Sequence, residues 1–357
     1  MEHPTRTLNG LGQSLWLDNI TRGMLGDGTL LGYREQKTVT GLTSNPTIFA
    51  QAIKSGKDYD ASIRAAGRSE PETVFFGLAI DDLRRAAAIF EPVYQHTHGV
   101  DGWVSLEVSP LLADDTARTV EQAVALHKQA AVHNLFVKVP GTPAGIGAIE
   151  ELIFRGVPIN VTLLFSPEQY QAAADAWLRG LERRHAAGLD LDVASVASVF
   201  ISRWDVKVAD KVSADLQNKL GFAVCAQIYA KYRKLLDSPR LQRLQNAGAR
   251  VQRLLWASTG TKDPKASDVL YIENLIAPLT VNTMPEKTLL AFADHGKAER
   301  LMGLDDPSVA STLARFQAEG IQVEPLAKTL QQEGADSFVK SWRELLDTIS
   351  ERMGAAA

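Results

Sequence analysis

Short apolar runs recur along the chain, each stopped by a turn signal and followed by a longer stretch with helical spacing. Residues 14–18, 38–45, 103–108, 134–140, 157–165, 194–202, 253–258 and 279–283 carry the β-branched and aromatic residues typical of strands. Residues 71–91 read as a helix opened by a proline with acidic residues in its first turn. Helical periodicity also marks residues 114–132, 142–155, 166–187 and about 204–237, and most of the chain beyond residue 286. Residues 1–13 read as a loose leader or a short capping helix, and 19–31 as a short helix followed by a loop. Strands alternating with helices call for a parallel sheet, and eight such units predict an α/β fold, a parallel (β/α)8 TIM barrel with additional N- and C-terminal helices. That architecture takes about 250 residues, so a chain of 357 leaves room for the extra helices. A doubly wound open sheet is the alternative. No linker, repeat or low-complexity tract divides the chain, and residues 1–357 read as one domain.

Composition narrows the class. With 45% apolar and 22% charged residues, the chain has what a large globular core needs. A net charge of −4 argues against a broad nucleic-acid-binding face. The single cysteine, Cys225, excludes an intrachain disulfide and fits a reducing compartment; its apolar neighbours read as inert core. The N-terminus is polar, with no apolar signal core, and no run approaches the roughly 18 apolar residues of a membrane span. These features predict a cytoplasmic protein that binds neither nucleic acid nor membrane.

The candidate chemistry starts at Lys138, set among Leu135, Phe136, Val137 and Val139 just before Pro140 and Gly141 stop the strand. A lysine in apolar surroundings is costly in its charged form, and the usual relief is a lowered pKa. A neutral amine at a strand end is what Schiff-base chemistry with a carbonyl requires. Other strands also end in polar groups: Asp18, Asn45, Glu107, Asn160 with Thr162, and Ser198. In a barrel such ends converge on one mouth, where active sites of this architecture are built. One shared pocket accounts for them better than a series of unrelated buried groups, and points to a Schiff-base aldolase. In that reading Lys138 attacks the carbonyl, Glu107 and Asp18 move protons, and the amides and hydroxyls hold a polyol. The rival reading is a snorkelling lysine whose stem packs while its head reaches water.

Six segments carry a resemblance: Leu17-Asp18, Thr43-Ser44-Asn45-Pro46-Thr47, Leu106-Glu107-Val108, Val137-Lys138-Val139, Asn160-Val161-Thr162-Leu163-Leu164-Phe165-Ser166, and Ser198-Val199-Phe200-Ile201-Ser202-Arg203. In order, spacing and strand placement they resemble transaldolase, in its longer bacterial branch, from about residue 14 to residue 290. The resemblance implies a transferase of the pentose phosphate pathway with no cofactor and no metal. It would move a dihydroxyacetone unit from fructose 6-phosphate or sedoheptulose 7-phosphate to glyceraldehyde 3-phosphate or erythrose 4-phosphate, as a monomer or homodimer. It makes Lys138 the Schiff-base lysine and Asp18 the acceptor of the hydroxyl proton. Glu107 and Thr162 become the pair that holds the catalytic water, with Glu107 as general acid and base. Asn45 and Asn160 would hydrogen-bond the substrate, Thr43 and Ser198 would add hydroxyls, and Phe200 a wall. Arg203 and Ser258 match phosphate-binding positions. Where most of the family carries a second phosphate-binding arginine this chain has Gly260, and Lys262 is the expected replacement.

Two further signals carry no function. The glycines of Gly141-Thr142-Pro143-Ala144-Gly145-Ile146-Gly147 lack dinucleotide-loop spacing and predict a tight turn. His96 and His98 have no partners suited to a metal site in the sequence around them.

Overall fold

The computed structural model describes residues 3–304 and 306–354. Eight strands form one sheet: β1 (Gln13–Asp18), β2 (Val39–Thr43), β3 (Val104–Glu107), β4 (Leu135–Pro140), β5 (Ile159–Leu164), β6 (Ser195–Phe200), β7 (Gln252–Ala257) and β8 (Thr280–Met284). Their order is β2-β1-β8-β7-β6-β5-β4-β3, and every paired ladder is parallel. The seam between β2 and β3 is joined by two backbone hydrogen bonds, Gly102 N to Thr40 O and Leu42 N to Trp103 O, each 3.0 Å. Gly41 makes that approach possible: a Cβ there would meet the Trp103 carbonyl at 2.6 Å and the Trp16 ring at 2.8 Å. The sheet is therefore closed into a (β/α)8 barrel, as the alternation of patterns predicts, rather than left open.

Strand alternation points Trp16 and Phe136 into the barrel beneath the strand ends. Phe136 stacks on Trp103 at 4.1 Å and on Trp16 at 6.2 Å between centroids. Arg253 closes the floor, donating to Ser14 Oγ and to the carbonyls of Thr280 and Val100. The interior is thus packed solid below the mouth, which confines any ligand to the C-terminal strand ends.

A repeated device opens four of the helices. Asn45, Thr142, Ser166 and Ser238 each precede a proline, and each side chain accepts a backbone N–H from the first turn of the helix that follows. Gly145 in one of these turns approaches Pro140 O so closely that a Cβ would sit 1.8 Å away, the tight turn expected of those glycines.

The helix boundaries differ from the sequence reading in several places. Helices Pro46–Ser55, Asp60–Ala65 and Pro239–Asn246, of 10, 6 and 8 residues, are absent from the sequence reading because they are too short for a periodic pattern to repeat. The expected loop before residue 31 gives way to helix Thr29–Lys37. The stretch from residue 204 to 237 divides into Ser202–Val208 and Leu220–Leu236. Helix Pro71–His96 continues through Pro92, because its buried face runs on to Phe90 and outweighs one missing backbone donor. At the N-terminus, Pro4–Gly10 is a capping helix; residues 1 and 2 lie outside the described residues. The chain closes with the long helix Val323–Gly354, which buries Ala327, Leu330, Gln331, Gly334, Phe338, Trp342, Leu345 and Ile349 along one stripe. Among the described residues no helix is long and apolar enough to cross a membrane.

Candidate active site

Glu107 and Lys138 are register partners on β3 and β4, so their side chains rise together at the mouth. Lys138 Nζ donates to Glu107 Oε2 at 3.0 Å and to Ser44 O at 3.3 Å. Both side chains are only 6% exposed. The apolar neighbours Val137 and Val139 face away from the barrel axis by strand alternation, so the amine meets a carboxylate rather than hydrocarbon. Burial pushes the Glu107 carboxyl up from its ordinary range; the Lys138 ammonium opposes that shift, and the charge of Asp18 adds to it.

Asp18, the last residue of β1, is raised first by burial, against the pull of Lys138, the Thr43 hydroxyl and Lys262. Thr43 donates its hydroxyl proton to Asp18 Oδ1 at 2.7 Å. Having given its one proton there, Thr43 must accept in its 2.7 Å contact with the Thr283 hydroxyl at the end of β8. A directed chain therefore runs Thr283 to Thr43 to Asp18. Thr283 escaped the sequence reading, although it sits at a strand end like the residues that were singled out.

On the opposite wall Ser198 donates to Asn160 Oδ1 at 2.6 Å, and Asn160 Nδ2 donates to Ser105 Oγ at 3.2 Å. This fixes the Asn160 amide. Thr162 is fully buried, and its hydroxyl has no hydrogen-bond partner among the described residues. The next residue, Leu163, has φ +61° within an irregularity of the β5–β6 ladder. Such a conformation costs a bulky residue about 1–3 kcal/mol and persists only where its surroundings enforce it. Gln331 of the C-terminal helix enforces it, donating to Leu163 O at 2.8 Å and to Gly141 O at 3.0 Å. Asn45 lies just past β2, where its Oδ1 accepts from Ile48 N and caps the following helix, and its Nδ2 has no hydrogen bond among the described residues.

The far end of the site is cationic. Arg203 lies in helix Ser202–Val208, stacked over Phe200 at 5.2 Å and Phe338 at 5.9 Å, with no ion pair among the described residues. Burial pulls its pKa below the usual arginine value. Ser258 holds φ +57° and meets the Ser202 hydroxyl at 2.9 Å. Lys262 Nζ stands 3.8 Å from where a Gly260 Cβ would be, so the lysine amine lies beside position 260. All the residues singled out from sequence except Glu107, Asn160 and Thr162 line a cavity of about 140 Å³, and those three lie beside it on the same strand ends. Thr283, Pro285 and Phe338 also line it. Phe338 comes from 200 residues beyond Lys138, with no local signature to betray it. An outer cavity shares Arg203, Ser258 and Lys262 and adds Lys207 and Lys211. A small molecule with a carbonyl at one end and an anionic group at the other matches this distribution of charge.

Comparison with known proteins gives a consistent result. Residues 15–349 match the family model described as Transaldolase/Fructose-6-phosphate aldolase. A protein named Transaldolase from Thermobifida fusca (strain YX) is 44% identical, with 99% of this chain and all of the relative aligned. One from Parafrankia sp. (strain EAN1pec) is 42% identical with both chains covered in full, and one from Arthrobacter sp. (strain FB24) is 43% identical over 100% of this chain and 99% of its own.

Proposed function

The chain belongs to the transaldolase/fructose-6-phosphate aldolase family, and from that premise we propose that it is a transaldolase working through a Schiff base on Lys138. It transfers a dihydroxyacetone unit between ketose phosphates and aldose phosphates in the pentose phosphate pathway. Fructose 6-phosphate and sedoheptulose 7-phosphate are the donors, and glyceraldehyde 3-phosphate and erythrose 4-phosphate the acceptors. The observation that carries the reading is the buried Lys138–Glu107 pair, 3.0 Å apart, with Asp18 on the same rim and Arg203 and Lys262 across the cavity.

The steps follow from those positions. Lys138 passes a proton to Glu107 and its amine adds to the ketose carbonyl. Glu107 then returns the proton to the carbinolamine oxygen, which leaves as water, and the unpaired Thr162 hydroxyl supports a role in holding that water. The iminium draws electrons from the neighbouring carbon–carbon bond. Asp18 removes the β-hydroxyl proton, the bond breaks, and an aldose phosphate departs. Two carboxylates in different surroundings thereby divide the proton transfers. The enamine left on Lys138 attacks the acceptor aldehyde, Asp18 returns the proton to the new hydroxyl, and water releases the product. The directed hydroxyls of Thr283 and Thr43 favour the ionised, accepting form of Asp18. Arg203, with Ser258, suits the phosphate because a guanidinium donates in a fork, and Lys262 adds a point charge. The enzyme works in the cytoplasm, as a monomer or homodimer.

The family's printed description also covers an aldolase that acts on fructose 6-phosphate, and that is the second reading. Acceptor dependence separates them. Sedoheptulose 7-phosphate is expected to form from fructose 6-phosphate only when erythrose 4-phosphate is supplied. Release of free dihydroxyacetone at a comparable rate without acceptor would favour the aldolase.

A further inference from the structure

The C-terminal helix meets the mouth with a face made for it. Gln331, Gly334 and Phe338 fall at helical spacing, and all three are buried. Gln331 ties the helix to the ends of β4 and β5 through the Gly141 and Leu163 carbonyls. Gly334 removes the side chain that would keep the helix away: a Cβ there would meet Leu163 Cδ2 at 2.8 Å and Arg203 Nη1 at 2.9 Å. A glycine inside a helix is destabilising relative to alanine, so its position is informative. Lys207 pairs with Glu333, and Ser166 donates to Glu324 at 2.8 Å, adding two polar anchors. The outcome is that the Phe338 ring is held 5.7 Å from Lys138 Nζ and 5.9 Å from Arg203 Cζ, between the reacting nitrogen and the cation at the far end of the cavity.

We propose that Phe338 decides the fate of the covalent intermediate, keeping bulk water and solvent protons from the enamine so that the dihydroxyacetone unit waits for an aldehyde instead of leaving. The inference rests on the Schiff-base reading of Lys138. Two exits compete after carbon–carbon cleavage. In transfer, the enamine carbon forms a bond to the acceptor carbonyl carbon and the acceptor oxygen takes the proton from Asp18. In release, that carbon takes a proton instead, regenerating an iminium. Water then adds at the iminium carbon, and the carbinolamine collapses to free dihydroxyacetone and the lysine amine, with no oxidant or reductant involved. Both steps of release need water or its protons beside Lys138 while the enamine waits, whereas bond formation in transfer needs only the acceptor, and water is required only afterwards to hydrolyse the product iminium. An aromatic ring over the nitrogen closes off the first and leaves the second open through the cationic end. The ring face also favours the positive charge of the iminium.

The test is a partition ratio. Full-length parent, Phe338→Ala and Phe338→Leu proteins are supplied with fructose 6-phosphate and erythrose 4-phosphate. Free dihydroxyacetone is measured against sedoheptulose 7-phosphate, thermal melting confirms that each variant is folded, and borohydride trapping confirms that each forms the adduct. The alanine variant is expected to raise the ratio of release to transfer by about tenfold, equivalent to ~1.4 kcal/mol between the two exits. The leucine variant, which keeps an apolar cover, should fall between alanine and parent. A merely structural role would slow both exits together and leave the ratio alone. An unchanged ratio in folded, adduct-forming variants would overturn the role of Phe338 and leave Lys138 untouched. Absence of the adduct in the parent would remove the premise, and the proposal with it.

Discussion

Asp18 and Glu107 bear the same functional group within one mouth, yet their partners set them different tasks. Glu107 touches the Lys138 amine directly, whereas Asp18 is held by a hydroxyl chain from β2 and β8. Burial raises both carboxyls. For a carboxyl raised in the folded state, the native protein binds more protons than the unfolded one between the ordinary and the raised pKa. Its contribution to stability is present below the ordinary value of 3.8 for Asp18 and is lost as pH rises through the folded pKa. Asp18→Asn keeps an oxygen for Thr43 while removing that charge. It is expected to lower kcat by about 10²–10⁴ and to melt above the parent at neutral pH, with the gap closing as pH falls through the raised pKa toward the ordinary value of 3.8. Melting curves of both proteins across that range check this, and a variant less stable than the parent at neutral pH would contradict it. At this scale the sequence was informative wherever a polar residue interrupted an apolar strand end, as at Lys138, Glu107 and Asp18. It was silent on hydrogen-bond direction, which depends on which hydroxyl has already given its proton.

The strands were legible as elements because each is a short apolar run closed by a turn. The C-terminal helix was legible as a helix, but its position was not. Gln331 reaches Gly141 and Leu163 across more than 160 residues of chain, and no local pattern encodes such a contact. The strained φ of Leu163 was equally hidden, since a leucine in an apolar run predicts an ordinary strand. The two features depend on each other: the irregularity exposes a carbonyl beside Thr162, and Gln331 satisfies it. Gln331→Leu conserves bulk and removes both donors. Leaving buried carbonyls without partners is expected to destabilise the protein by about 1–3 kcal/mol and to lower kcat, because Thr162 loses the fixed backbone beside it. Denaturant unfolding and steady-state kinetics test this together. Unchanged stability would mean that the bulge holds itself.

Across the whole molecule the charge is uneven. The net charge is −4, yet around the outer cavity beside the mouth Arg203, Lys207, Lys211 and Lys262 outnumber the carboxylates Asp210 and Glu333. A cationic entrance on an acidic protein draws anions inward, and salt weakens that attraction over a Debye length of about 8–10 Å at physiological ionic strength. The value of kcat/KM for fructose 6-phosphate is therefore expected to fall as salt is raised, and Lys262→Ala should flatten the dependence. Unphosphorylated fructose should respond little to salt. Equal salt dependence for both sugars would contradict a phosphate role for this end of the site. The barrel itself could be inferred because eight strand–helix units leave few other arrangements. How the last seam is made could not, because it turns on Gly41 and two backbone bonds between β2 and the residues before β3.

The central claim is that Lys138 carries the substrate covalently. Borohydride reduction in the presence of fructose 6-phosphate, followed by intact and peptide mass spectrometry, addresses it most directly, with Lys138→Ala as control. The account predicts a mass increase equal to one reduced dihydroxyacetone unit, confined to the peptide containing Lys138 and absent from the variant. Folded protein that forms no adduct with any ketose phosphate, or an adduct on another lysine, would contradict it.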